Sequence, residues 1–294
     1  MRILYITNHQ KIQQAGGYIN DYMNDLLFQG LHELKQEGII LELLDSTPII
    51  HLYEQNKPYI PKEVLWGKGF SHTYLIQGSG QDRDRSNIIR RIVDQEFDVI
   101  IFGAWNRCQD YRDVVEESFN GPVIVIDGAD DTTIRPAPAN WIKFKRELMP
   151  EIEGWNPISF AIPECKFSKP NKCKSKDYGT VIPGDKSTYI FTNEESYYKD
   201  YNDSYYGVNT RKAGWDSMRM YEIIASYCMP YIPDLLYFPP TVMANYPKDL
   251  VYAGMSLRDA FTSEAYYAIM DATYQYAKEN LTTKALAKYV LSKI

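Results

Sequence analysis

The residues best able to do chemistry lie in the stretch RKAGWDSMRMYEIIASYCMPYIPD, from Arg211 to Asp234. Lys212 and Arg219 bracket the start of an expected helix, where backbone amides and the macrodipole already favour an anion. Gly214 lets a ligand come close to the backbone there. Glu222 lies two turns further in, at the distance where a carboxylate could accept hydrogen bonds from the vicinal hydroxyls of a ribose. Phosphate at the helix tip with a sugar alongside points to a nucleotide. Asp216, Arg219, Glu222 and Ser226 form one polar stripe, and a solvated face with ordinary i, i+3 pairs has the same pattern. The two cations and the glycine favour the ligand.

Two other groups carry weaker signals. Asp127-Gly-Ala-Asp130-Asp131 could hold a divalent cation, but aspartates that satisfy their own turn explain the cluster more simply, so no metal site is expected. Gly16-Gly17 is a weak phosphate signal without the GxGxxG fingerprint, which argues against a dinucleotide cofactor. The four cysteines show no CxxC or Cys/His cluster, so neither a zinc site nor a disulfide framework is indicated.

Period and punctuation suggest how these residues are positioned. Around the central stretch the pattern gives a strand at 206–209, a turn at Gly214, a helix of about three turns and a strand at 229–232 closed by Pro233. Met218, Tyr221, Ala225 and Cys228 make the apolar face of that helix. The N-terminal part opens with a strand at 3–7, a polar loop at 8–15, the glycines, a helix that ends at Gly38, and a strand at 39–44. An irregular insertion at 45–70, a strand at 73–77, a helix at 86–96, a strand at 98–102, a helix at 112–119 and a strand at 122–126 follow. Such alternation predicts an α/β fold with parallel strands. The basic and aromatic segment 141–148 closes this part; Arg146 and Glu147 could line a cleft, though a surface pair is simpler.

The Lys-, Pro-, Ser- and Cys-containing stretch 163–176 reads as a linker, dividing the chain into domains 1–162 and 163–294. Beyond it are expected a strand at 178–182, a Tyr-rich helix at 193–201, and a long helix opened by Ser256 and Asp259 as a capping box. A last helix from Thr282 or Thr283 can pack back on the first domain.

Arg219-x-x-Glu222 followed by Ala225-Ser226-x-Cys228-x-Pro230 resembles the donor-binding segment of exostosin-like and related GT-B glycosyltransferases. The form K-x-G-W-D-x-x-R-x-Y-E-I is similar to that of bacterial and viral glycosyltransferases, and Tyr227 stands where the family has a small residue. The resemblance implies a GT-B fold, two Rossmann-like domains facing a central cleft. It also implies sugar transfer from a UDP- or GDP-linked donor to a glycan or other hydroxyl, with Trp215 and Asp216 joining the nucleotide contacts. Gly16 and Gly17 would face the same cleft, and His9, or an aspartate such as Asp130, is the nominee for the base. Lys212 and Arg219 already supply positive charge for the diphosphate, so metal-independent transfer is expected. A non-catalytic nucleotide- or glycan-binding protein is the alternative, and an epimerase or reductase stands well behind.

Over 294 residues the net charge is −6, which disfavours a nucleic-acid partner. The opening MRILYITNHQ is strand-like, and no run approaches a membrane-spanning length. A soluble cytoplasmic protein is therefore expected. The 25 tyrosines, concentrated from Tyr178 onward, suit sugar recognition, yet most are explained as half-buried core and surface aromatics.

Overall fold

A computed structural model describes residues 1–294. The N-terminal part contains strands β1 (Arg2–Ile6), β2 (Glu42–Asp45), β3 (Val99–Phe102), β4 (Val123–Asp127), β5 (Ile142–Lys145) and β6 (Asn156–Pro157). Its helices are α1 (His9–Gly16), α2 (Tyr22–Gln36), α3 (Ile88–Val93) and α4 (Arg112–Ser118). The strands form one parallel sheet in the order β2-β1-β3-β4-β5-β6. The chain therefore leaves β1 toward one side and returns to build β3 on the other. The loops after β1 and β3 flank the switch point, where open parallel sheets bind ligands.

Alternation puts Ile3, Tyr5, Val99, Ile101, Ile124 and Ile126 on one face and Leu4, Ile6, Ile100, Phe102, Val123 and Val125 on the other. Both faces are covered, so these strands read as continuous apolar runs. Each such side chain contributes about 1.5–3 kcal/mol on burial.

A second parallel sheet follows, β7 (Lys176–Tyr178), β8 (Ser204–Val208) and β9 (Met229–Tyr231), with α5 (Glu194–Asn202) and α6 (Met218–Ala225) as its crossovers. α7 (Lys248–Ser256), α8 (Ser263–Asn280) and α9 (Thr283–Leu291) complete the chain. A single hydrophobic cluster runs from Ile3 and Tyr5 through to Met229 and Ile232, joining the two sheets. α9 lies on α2, where a Cβ on Gly30 would stand 1.9 Å from the Thr283 carbonyl oxygen. Thr283 Oγ1 donates to the Glu33 carboxylate, and Ile162 bridges to Thr282. No helix is long and apolar enough to cross a membrane.

Several expected elements are corrected. Residues 9–16 are helical, with Asn8 capping the amides of Gln10 and Lys11 and Gly17 at φ 75 ending the helix. Residues 73–77 make only an isolated bridge, Tyr53 to Ile76, because the insertion turns through left-handed backbone at Lys68, Ser71 and Tyr74. The basic segment 141–148 contains β5. The first strand of the second sheet is 176–178, earlier than expected. α7 ends at Ser256, and α8 starts instead behind Thr262, whose hydroxyl accepts from the Ala265 amide at 3.3 Å. α6 is eight residues long, shorter than expected.

Candidate functional site

The entrance of α6 is occupied by the first sheet. Glu147, just past β5, accepts from the amides of Trp215 at 2.9 Å and Asp216 at 3.1 Å. Gly214 makes this approach possible, since a Cβ there would stand 2.6 Å from Glu147 Oε1. Arg146 is fully buried beside it, 3.2 Å from the Glu147 carboxylate and 4.3 Å over the Phe160 ring, and donates to the Asp216 carbonyl at 2.8 Å. The Asp216 carboxylate accepts from the Phe160 amide at 2.8 Å. Burial pushes its carboxyl up to about 6, against the opposing pull of Arg146. Arg146 and Glu147 thus belong to a buried network and are not a surface pair. Two adjacent amides on one carboxylate form the kind of charge-assisted contact that a phosphate oxygen also takes.

Arg219, on the first turn of α6, has the opposite character. Its Nε and Nη1 are buried without a hydrogen-bond partner. Its guanidinium lies 5.6 Å from the centroid of Tyr189, and Lys212 Nζ, on an exposed residue, lies 6.0 Å from the same ring. Tyr189 therefore brings the two expected phosphate cations together. Burial raises the Tyr189 pKa, but the Gly184 amide on its hydroxyl and the two cations outweigh this and hold it below its ordinary value. Burial also opposes charge on Arg219, but Tyr197, Tyr201 and Glu222 around it more than compensate. The Tyr201 hydroxyl is likewise buried without a partner. Trp215 is stacked at 3.8 Å by the guanidinium of Arg211 and faces Phe238 at 4.9 Å.

Glu222 faces inward. Its carboxylate accepts from Tyr197 at 2.6 Å and from the Ser71 hydroxyl, which itself accepts from Tyr198 at 2.8 Å. Burial raises its pKa against these bonds and Arg219. Hydroxyl groups thus occupy both oxygens of the carboxylate expected to meet a ribose, and one of them comes from the insertion after β2. That segment reaches across at further points: the Ser71 amide donates to Glu194 at 2.6 Å, and Lys62 and Lys68 donate to the carbonyls of Thr192 and Phe191.

The aspartates at the end of β4 are matched by cations. Asp127, fully buried, accepts from Lys145 at 3.1 Å and from Arg135 at 3.0 Å, and caps the Ala129 amide. Asp130 pairs with Arg146. The hydrogen bond from Arg135, aided by Lys145, holds Asp131 down to about 2.

His9 begins α1 just past β1, half-buried, with Nδ1 unpartnered. Burial, helped by nearby His51, keeps its pKa below the ordinary value. Gly16 and Gly17 end the same helix and do not form a phosphate loop, and the Arg107 guanidinium rests against Gly16. The structure gathers Lys212, Gly214, Trp215, Asp216, Arg219 and Glu222 around α6, while His9, Gly16 and Gly17 sit along α1.

The sequence reading missed Ser71, Tyr189 and a buried cluster around Asp25. His51 Nε2 donates to Asp25 at 2.7 Å. His72 donates through Nδ1 to the Phe70 carbonyl at 2.9 Å, and its Nε2 accepts from Asn20 at 2.8 Å. Burial pushes His72 down to about 4, so it is neutral. These bonds hold the insertion on α2. The available signal was Asn24 and Asp25 set beside the apolar residues Met23, Leu26, Leu27 and Leu31 of α2.

Tyr227 adopts φ 55, in the left-handed region that residues with a side chain uncommonly occupy. No protein-family model matches the chain, and no curated protein matches its sequence.

Proposed function

We propose that the chain is a glycosyltransferase that binds a UDP- or GDP-linked sugar between two Rossmann-like halves, 1–162 and 163–294, arranged as in GT-B enzymes, and passes the sugar to a hydroxyl of a glycan or similar acceptor. One observation carries this reading. Arg219, itself half-buried, has its Nε and Nη1 buried with no hydrogen-bond acceptor and no carboxylate in ion-pair contact, and it shares the Tyr189 ring with Lys212. A departing diphosphate is the kind of charge such donors stabilise. The amides of Trp215 and Asp216 offer further donors once Glu147 withdraws, and Glu222 can exchange the Ser71 hydroxyl for a ribose hydroxyl. Lys212 and Arg219 then meet the charge that a metal would otherwise meet. His9 is the better nominee for the base, because Asp130 is paired with Arg146.

Titration calorimetry with UDP, GDP, uridine and guanosine tests this. Arg219→Ala should cost about 1.5–3 kcal/mol of diphosphate binding and leave the nucleosides unaffected. Equal affinities in the folded variant would end the reading. The pairing of Asp130 also favours a second reading, a non-catalytic nucleotide- or glycan-binding protein of the same fold. Nucleotide binding without donor hydrolysis or transfer, in the presence or absence of chelator, would select it.

A further inference from the structure

At the switch point of the first sheet, polar atoms on α2 and on the loop after β3 are buried without partners. Asn24, fully buried on α2, spends its amide nitrogen on Asp25 at 3.0 Å but leaves Oδ1 unpartnered. That oxygen is at the end of β3, 2.5 Å from where a Cβ on Gly103 would stand. From the loop after β3, Asn106 Oδ1 and Arg107 Nη1 are also buried and unpartnered. The Arg107 side chain keeps 23% exposure, and its only carboxylate neighbour is Asp21, at 3.4 Å from Nε. The Asp21 carboxylate already caps the amides of Met23 and Asn24 at 3.1 and 3.2 Å. Gly16 leaves room for the guanidinium, since a Cβ there would stand 3.2 Å from Nη1.

Each unpartnered buried group costs about 1–3 kcal/mol, so a cluster of them calls for an occupant. The chemistry of that occupant follows from what is unspent. Arg107 needs an acceptor and carries positive charge; Asn24 and Asn106 need donors. A neutral polyol satisfies only the asparagines, and a bare oxyanion satisfies only the arginine. We propose that the crevice between the loops leaving β1 and β3 binds a small polyhydroxylated anion, with its phosphate or carboxylate on Arg107 and its hydroxyls donating to Asn24 and Asn106. The partly exposed Arg107 swings off Gly16 to admit it. Its residues are different from the nucleotide contacts on α6, and the proposal does not rest on that reading.

The test is calorimetric titration of the full chain with glucose 6-phosphate, glucuronate, inorganic phosphate and glucose. Glucose 6-phosphate or glucuronate should bind at least tenfold more tightly than glucose or inorganic phosphate, and which of the two does so identifies the oxyanion. Arg107→Ala should abolish the preference over glucose, and Asn106→Ala should abolish the preference over inorganic phosphate. Arg107→Lys, which keeps the charge and guards against misfolding, should retain part of the affinity. Arg219→Ala should leave it unchanged. No binding by any of the four probes would mean that water alone fills the crevice and would overturn the proposal. So would binding lost in Arg219→Ala and kept in Arg107→Ala, which would assign the anion to the α6 site.

Discussion

At the C-terminal edge of the first sheet, carboxylates meet cations: Asp45 has Arg83 and Arg85, Asp127 has Lys145 and Arg135, and Asp130 has Arg146. Beside the second sheet the pattern reverses, and Arg219 lies among tyrosines with two donors unspent. Charges of the first kind are complete within the fold and serve to hold it. The second kind is buried near the Glu222 carboxylate but makes no ion pair with it and leaves two donors without acceptors, the pattern expected where a ligand supplies them. Charge count alone does not separate the two, since both regions are rich in Arg, Lys, Asp and Glu.

The largest expected contrast comes from removing one cation at each place. Lys145→Met leaves the buried Asp127 with Arg135 as its remaining cation, and should cost about 3 kcal/mol in urea unfolding, the low end for breaking a buried pair. Arg219→Met should cost little or stabilise, while weakening diphosphate binding. Equal destabilisation by the two substitutions would remove the distinction.

Acid should sharpen it next. The Asp216 carboxyl, raised from 3.8 to about 6, contributes stability that is complete below 3.8 and lost as pH rises through 6. His72, lowered from 6.5 to about 4, contributes stability present above 6.5 and lost as pH falls through 4. Each shift is worth about 3 kcal/mol. The two oppose each other, so their own contributions largely cancel between these limits. Asp216→Asn should then unmask a loss on acidification and His72→Gln a gain, both read from urea midpoints against pH. A flat profile in both variants would show that neither group is linked to folding.

A smaller effect is expected at the contact between the two regions. Gly214→Ala puts a Cβ 2.6 Å from Glu147 Oε1 and should cost about 1–3 kcal/mol by displacing that carboxylate. Nucleoside diphosphate affinity, measured alongside, should not fall in proportion, since the amides of Trp215 and Asp216 are freed. Unchanged stability would show that Glu147 yields without cost.

The sequence made the parts with a clean period legible. β1, β3, β4 and the β8-α6-β9 unit came from apolar runs and one helical stripe. β5 was hidden because Lys143, Lys145 and Arg146 read as a basic surface, whereas Lys145 and Arg146 are buried against partners 15 or more residues away. α1 was hidden because Ile12 is its only buried residue, so it shows no period despite its Asn8 cap. At the candidate site, the α6 residues were found from local spacing. Ser71 and Tyr189 were not, since only the fold brings them to Glu222 and Arg219. The occupation of the α6 entrance by Glu147 was equally invisible, because a carboxylate arriving from a distant strand end leaves no mark near Gly214.

The seating of α9 on α2 bears on how the molecule is assembled. Thr283 and Glu33 are 250 positions apart, and closing a loop of that length costs about 5 kcal/mol in chain entropy before any contact repays it. The outer layer of the first sheet is therefore finished by residues that lie 250 positions beyond those they cover. A fragment ending at 162 would leave the α2 surface around Gly30 bare. Circular permutation that places 283–291 ahead of β1 would shorten this closure, and should speed folding more than it changes stability.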